Sequence, residues 1–232
     1  MKDREKRSFT MAELEEMGTP TVDLVQQAID AGELEKAKKL ARRMFREFSS
    51  LHDFWVSEVT TLLSYIYRHN GDEAVFKAVS ECLEELSNAA DAYRSQDSGR
   101  QAQMLAAGLR AHLTPVVVEE DAEKFTVMMS PCSSGGKLIS NKKYETSKNL
   151  AKIKKPQRIT FGRGDFPIYC ANCAMENIVP MEKTGYPIWI SDVAEKLGET
   201  PCKLHIYKDP DKIPAKYYER FGLKKPAPKS TK

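Results

Sequence analysis

The chain is expected to fold as an α+β protein, with an N-terminal antiparallel helical bundle followed by a small cysteine-rich α+β metal-binding domain. Three observations lead there. Apolar residues recur at three- and four-residue steps through the first half. Short β-branched and aromatic runs, separated by turn residues, take over after Pro115. Of the five cysteines, Cys132, Cys170, Cys173 and Cys202 fall within 71 residues of the second half, and Cys82 stands alone in the first.

Residues 1–20 are polar, open on a charge run and read as a partly ordered leader; no apolar run follows that would make a secretory signal. The bundle is expected over 21–113. Val22, Val25 and Ile29 begin the helical period, and Leu34, Ala37, Leu40, Ala41, Met44 and Phe45 continue it beyond a break at Asp30-Ala31-Gly32. Ser49 or Ser50 is placed to cap a helix from Leu51 to His69, which Asn70-Gly71 ends. Asp72 starts the next, with Val75, Val79, Cys82, Leu86, Ala90 and Tyr93 on one face, so Cys82 is expected as a small core residue outside any site. Gln96 to Gly99 is a loop, and a last helix runs from Arg100 to Leu113.

The cysteine-rich domain is expected over 114–223. Val116 onward and Lys124 to Met129 read as two strands around the acidic turn Glu119-Glu120-Asp121. Further short strands are expected near Ile178–Met181, Pro187–Ile190 and Lys203–Tyr207, with short helices at Ser191–Leu197 and around Tyr217-Tyr218. The stretch 224–232 is a basic, flexible tail.

Composition narrows the class. Lys and Arg total 36 against 33 Asp and Glu in 232 residues, and 41% of the chain is hydrophobic. Such a chain is neither disordered, nor collagen-like, nor a small disulfide scaffold. No run approaches 18 apolar residues, so no membrane span is expected. An odd cysteine count without a signal argues for a cytoplasmic protein without a disulfide framework.

Cys170-Ala171-Asn172-Cys173 spaces two thiols to share one metal ion on a tight turn. A redox dithiol would need a strand-to-helix context in a βαβ unit, and the flanking Phe166-Pro167-Ile168-Tyr169 suits a metal knuckle better. Cys132, entering Ser133-Ser134-Gly135-Gly136, offers a third ligand and Cys202 a fourth; His112 or His205 is the alternative for the last place. Zinc is the first expectation for these soft ligands, and an iron–sulfur cluster the alternative. A different reading makes Cys132 a nucleophile, with the Ser-Ser-Gly-Gly turn as oxyanion donor and His112 or His52 as base.

For acid–base chemistry the candidates are His112, at the end of the bundle, and His52 with its neighbour Asp53, on the helix that also carries Ser57, Thr60, Thr61 and Ser64. That hydroxyl stripe either permits close packing or lines a polar pocket. Glu119 and Glu120 are read as turn residues. Between Lys137 and Arg163 stand nine basic residues and one acid, Glu145, a surface for nucleic acid or another anionic partner. A small-molecule pocket is expected at the junction of the two regions near His52, His112 and Cys132.

The order of Leu51-His52-Asp53, His112, Pro131-Cys132-Ser133-Ser134-Gly135-Gly136, Tyr169-Cys170-Ala171-Asn172-Cys173 and Cys202 resembles, over residues 20–222, a group of microbial cysteine-rich proteins and the L-2-amino-thiazoline-4-carboxylate hydrolase-like proteins. That resemblance implies hydrolysis of a small cyclic or amide-like substrate. A non-enzymatic module with a structural metal and a basic surface is the competing expectation.

Overall fold

The Thr10 hydroxyl accepts the Glu13 amide (3.2 Å) while the Glu13 carboxylate accepts the Thr10 amide (2.7 Å). This reciprocal capping starts a helix, α1 (Met11–Gly18), inside the stretch expected as a leader. The computed structural model describes residues 8–129 and 131–227; residues 1–7 of the leader and 228–232 of the tail lie outside the described residues. The fold is α+β, as expected, with one long helix and a small antiparallel sheet.

Helix α2 (Thr21–Asp30) is cut from α3 (Leu34–Cys82) by Gly32, whose φ of 72° no ordinary residue adopts cheaply. α3 passes through Ser49 and Ser50 without the expected boundary. A hydroxyl caps a helix only where backbone amides lack partners, and mid-helix those amides are already bonded. The break does come at Gly71 (φ 79°, ψ −172°), where the sequence placed it. Cys82 ends α3 and is exposed, which corrects its expected core position.

Next come α4 (Glu84–Asn88), α5 (Ala90–Arg94) and α6 (Ser98–Ala111), whose Arg100 amide is capped by the Asp97 carboxylate at 2.9 Å. Strands β1 (Val116–Glu120) and β2 (Lys124–Met129) form the expected hairpin. At its turn the Asp121 carboxylate accepts the amides of Glu123 and Lys124, which hold its pKa down to about 2. Then follow α7 (Gly135–Ser140), β3 (Lys152–Ile153), β4 (Phe166–Pro167), α8 (Ala171–Thr184), β5 (Ile190–Asp192), β6 (Cys202–Tyr207) and α9 (Lys216–Glu219). Strands β1-β2-β6-β5 make one antiparallel sheet, and β3 pairs with β4 in a second. Ile178–Met181, expected as a strand, lies within α8, and Ser191–Leu197, expected as a helix, is β5 and bends.

The chain divides into two compact units, one up to Phe54 and one from Trp55 onward. The first has a small core of Ala28, Ala37 and Leu40. In the second, Ala102 and Leu105 of α6 pack on Val127, Met129, Leu204 and Ile206 of the sheet. The later bundle helices therefore share a core with the strands. A larger core gathers Met175 and Ile178 of α8 with Ile153, Ile168, Tyr218 and Phe221. Among the described residues no helix is long and apolar enough to cross a membrane.

Two hydroxyls of that stripe prove to be packing, while Thr61 is exposed. Thr60 and Ser64 are fully buried, their hydroxyls donate to the Val56 and Thr60 carbonyls, and the Ser64 oxygen accepts the Ala151 amide at 2.9 Å. Lys148 reaches Ser57 (2.9 Å), Arg68 holds the Asn149 carbonyl, and the Lys154 amide donates to the Tyr67 hydroxyl. The basic stretch is thus fastened to α3 through its backbone. Ser64→Ala should cost about 1–2 kcal/mol, because it leaves a buried amide without its acceptor; urea unfolding reads this directly, and a loss below the measurement error would contradict it.

Candidate cysteine site

Ser133 fixes the loop that carries Cys132. Its hydroxyl donates to the Leu113 carbonyl (2.6 Å), and its amide donates to the Thr114 hydroxyl (3.2 Å). The Cys132 carbonyl accepts the Lys137 amide, so the loop turns directly into α7. Two glycines bring that turn against the sulfurs. A Cβ at Gly135 would lie 2.9 Å from the Cys170 sulfur, and one at Gly136 would lie 2.9 Å from the Cys132 Cβ. Only a residue without a side chain permits either approach.

Cys170 sits at the N-cap of α8 and Cys173 in its first turn, following β4 and a short 3-10 turn. The C-x-x-C motif therefore opens a helix after a two-residue antiparallel strand, and because β4 and the next strand, β5, lie in different sheets this is not the βαβ setting of a redox dithiol. Pro167 and the residues after it close the strand before it can lengthen, and Ala171, Ala174 and Met175 are good helix formers. Cys202 opens β6 opposite Met129, and its sulfur accepts the Ala194 amide at 3.4 Å.

These elements bring Cys132, Cys170, Cys173 and Cys202 onto one cavity of about 190 Å³. Its other walls are largely apolar and include Met129, Ile139, Tyr169, Val193 and Leu197. All five cysteines are free thiols. Burial raises the pKa of Cys170, Cys173 and Cys202, and the neighbouring sulfurs add to the effect at each. The Arg163 charge opposes it at Cys170 and Cys202. Arg163 is held in place by the Ala194 carbonyl at 2.7 Å and by the Glu195 carbonyl. Among the described residues no group of three or more His, Cys, Asp or Glu side chains stands arranged to hold one metal ion.

The histidines lie elsewhere. His112 is the exposed C-cap residue of α6 and is not part of the cavity lining. His52 is buried, as expected, with Nδ1 3.4 Å from the Asp53 carboxylate, in the unit up to Phe54. His205 is an odd number of residues from Cys202 on the same strand, so the two face opposite sides of the sheet. It is buried, with Nδ1 3.0 Å from the Thr126 hydroxyl and Nε2 3.8 Å from Asp192. It therefore does not stand in for Cys202.

Sequence reasoning missed three residues around the sulfurs. Arg163 carried a signal in its Gly162-Arg163-Gly164 setting but was counted only as part of the basic stretch. Tyr169, whose hydroxyl bonds to Ser134, was visible only as the residue before the motif. Glu176, one turn past Cys173, has its pKa raised to about 7 by burial. No protein-family model, curated protein or solved structure matches the chain.

Proposed function

We propose that Cys132, Cys170, Cys173 and Cys202 bind a thiolate-ligated metal group, which makes the part of the chain from 114 to 223 a metal-binding domain. One observation carries this reading: four thiols from three separate stretches line a single cavity. The donor set is soft and wholly sulfur, the chemistry that zinc and iron–sulfur clusters share. Space separates the two. Four sulfurs on one zinc sit roughly 3.8 Å apart, as tetrahedral bonds of about 2.3 Å require. The cavity that the four thiols help to line has about 190 Å³, more than one ion fills. It suits a polynuclear iron–sulfur cluster, whose chemistry when bound is electron transfer or activation of a small molecule. Arg163 then offsets the negative charge of the ligated centre, and Gly135 and Gly136 let the backbone close on it.

A single zinc is the second reading, in which the rest of the cavity would be left to a substrate. With three of the cysteines as ligands and the fourth position left open, zinc would supply Lewis-acid hydrolysis of a small cyclic or amide-like substrate seated against Tyr169 and the apolar wall. The resemblance to the thiazoline hydrolase-like proteins supports that reaction.

Elemental analysis and a visible spectrum of protein purified without oxygen and without a metal-affinity tag test both. Iron with acid-labile sulfide and broad visible absorbance is the expected result. Serine at Cys132, Cys170, Cys173 or Cys202 should remove most of the metal, and Cys82→Ser should leave it unchanged. Zinc without colour selects the second reading. Absence of bound metal, or loss confined to the Cys82 variant, overturns both.

A further inference from the structure

The stretch 193–201 runs from β5 to β6 along the cysteine cavity. Val193, Leu197 and all of 198–201 line that cavity, so this strap forms one of its walls. Its ends are held by the pairing of β5 with β6 and by the Ala194 amide on the Cys202 sulfur. Among the described residues, the other hydrogen bonds that reach it from outside come from one side chain. The Arg163 guanidinium donates to the Ala194 carbonyl at 2.7 Å and to the Glu195 carbonyl. The strap's remaining hydrogen bonds are internal, made on the Lys196 carbonyl. Arg163 is itself well anchored. Its amide donates to the Thr160 carbonyl at 3.0 Å, and its guanidinium lies 5.9 Å from the centre of the buried Phe166 ring. Farther along, Gly198 (φ 81°) rests directly on α7. A Cβ there would lie 2.9 Å from Ile139 Cγ2 and 3.2 Å from the Gly136 carbonyl oxygen.

A second cavity, of about 240 Å³, is lined by Arg163, Lys152, Glu145 and Asp165. It shares Ile139 and Leu197 with the cysteine cavity. The partition between an outer polar space and the inner sulfurs is thus two aliphatic side chains, one on α7 and one on the strap. We infer that the strap is a gate: Arg163 latches it shut over the sulfurs, and release of the latch moves Leu197 away from Ile139 and joins the two cavities. A planar guanidinium fork suits this task, because it holds two successive carbonyls at once. A strap fastened at its middle by one side chain opens locally at far less cost than the domain unfolds. The inference concerns access to the sulfurs, so it holds whatever the four thiols bind.

The experiment alkylates the full chain with iodoacetamide under native conditions in EDTA and reads each cysteine by mass spectrometry. Cys82 is exposed and serves as the internal reference. In the wild type the four cavity thiols should react far more slowly than Cys82. Arg163→Met should speed all four by about tenfold or more, as expected for the loss of hydrogen bonds from a charged group, and leave Cys82 unchanged. Loss of the arginine charge alone would slow Cys170 and Cys202, because that charge favours their thiolates, so the direction of the change separates opening from electrostatics. Gly198→Ala presses the strap off α7 without touching the latch and should speed the same four thiols. Arg158→Met alters a cation of the same basic stretch that pairs with Glu182, and should leave every rate unchanged. If a bound metal group shields the sulfurs, its rate of loss to EDTA is the readout, with the same order expected. Circular dichroism checks the fold of each variant. Cavity thiols that react as fast as Cys82 in the wild type would overturn the inference. So would rates that neither Arg163→Met nor Gly198→Ala changes, or a rise that Arg158→Met produces equally, which marks general loosening.

Discussion

Replacing Gly135 by alanine is expected to destabilise the protein by about 1–3 kcal/mol and to displace any group bound between the cysteines. The added carbon would stand 2.9 Å from the Cys170 sulfur and 3.1 Å from the Tyr169 ring. Neither neighbour can retreat. Cys170 is buried at the start of α8, and the Tyr169 hydroxyl is bonded to Ser134. Gly108→Ala is the matched control. Its Cβ would meet nothing within 4 Å and the residue lies inside α6, so the same kind of change should stabilise by about 0.5–1 kcal/mol. Chemical unfolding of both variants measures the contrast. Equal effects would mean that the close approach at Gly135 carries no weight.

That contrast shows what was legible in the sequence. Cysteine is rare enough for the four of the second half to be grouped in the sequence, and the structure lines one cavity with them. The β1–β2 hairpin was legible because β-branched runs flank an acidic turn, and the break at Gly71 because Asn70-Gly71 ends helices. What failed had a competing physical cause. Ile178-Val179-Pro180-Met181 reads as a strand because β-branched residues and proline both argue against helix. Burial of Ile178 and Met181 against the α8 core outweighs that local preference. Ser49 and Ser50 look like a cap, yet α3 already supplies partners for the amides they would serve. Cys82 fitted an apolar stripe by period, but it falls on the last residue of α3, where that stripe no longer faces a core. His112 was attractive for its place in the chain, and nothing in the sequence tells that the end of α6 turns it to solvent. Arg163, Tyr169 and Glu176 were invisible as a set because their relation to the sulfurs exists only once α8 and the loop before it have folded.

Glu176 yields the prediction with the largest pH dependence. Its carboxyl has a pKa raised from 4.5 to about 7, because burial disfavours the charged form. The unfolded chain leaves the same carboxyl in water, where it titrates near 4.5. Between those two values the folded state holds a proton that the unfolded state has released. Stability must therefore fall as pH rises through that window. Below the window this group costs nothing; above it, ionisation of the buried carboxyl removes on the order of 3 kcal/mol, at about 1.4 kcal/mol per unit. Glu176→Gln has no proton to lose, so it should flatten this part of the profile and make the protein more stable than wild type at pH 8, with little difference at pH 4.5. Pro180 sharpens the expectation. It lacks the amide that would bond the Glu176 carbonyl in a regular helix, so this turn of α8 has one internal bond fewer with which to resist the charge. Urea midpoints of both proteins at several pH values decide the matter. Parallel profiles would place the burial cost on another group, whereas profiles that meet at low pH and separate toward neutrality would assign it to Glu176.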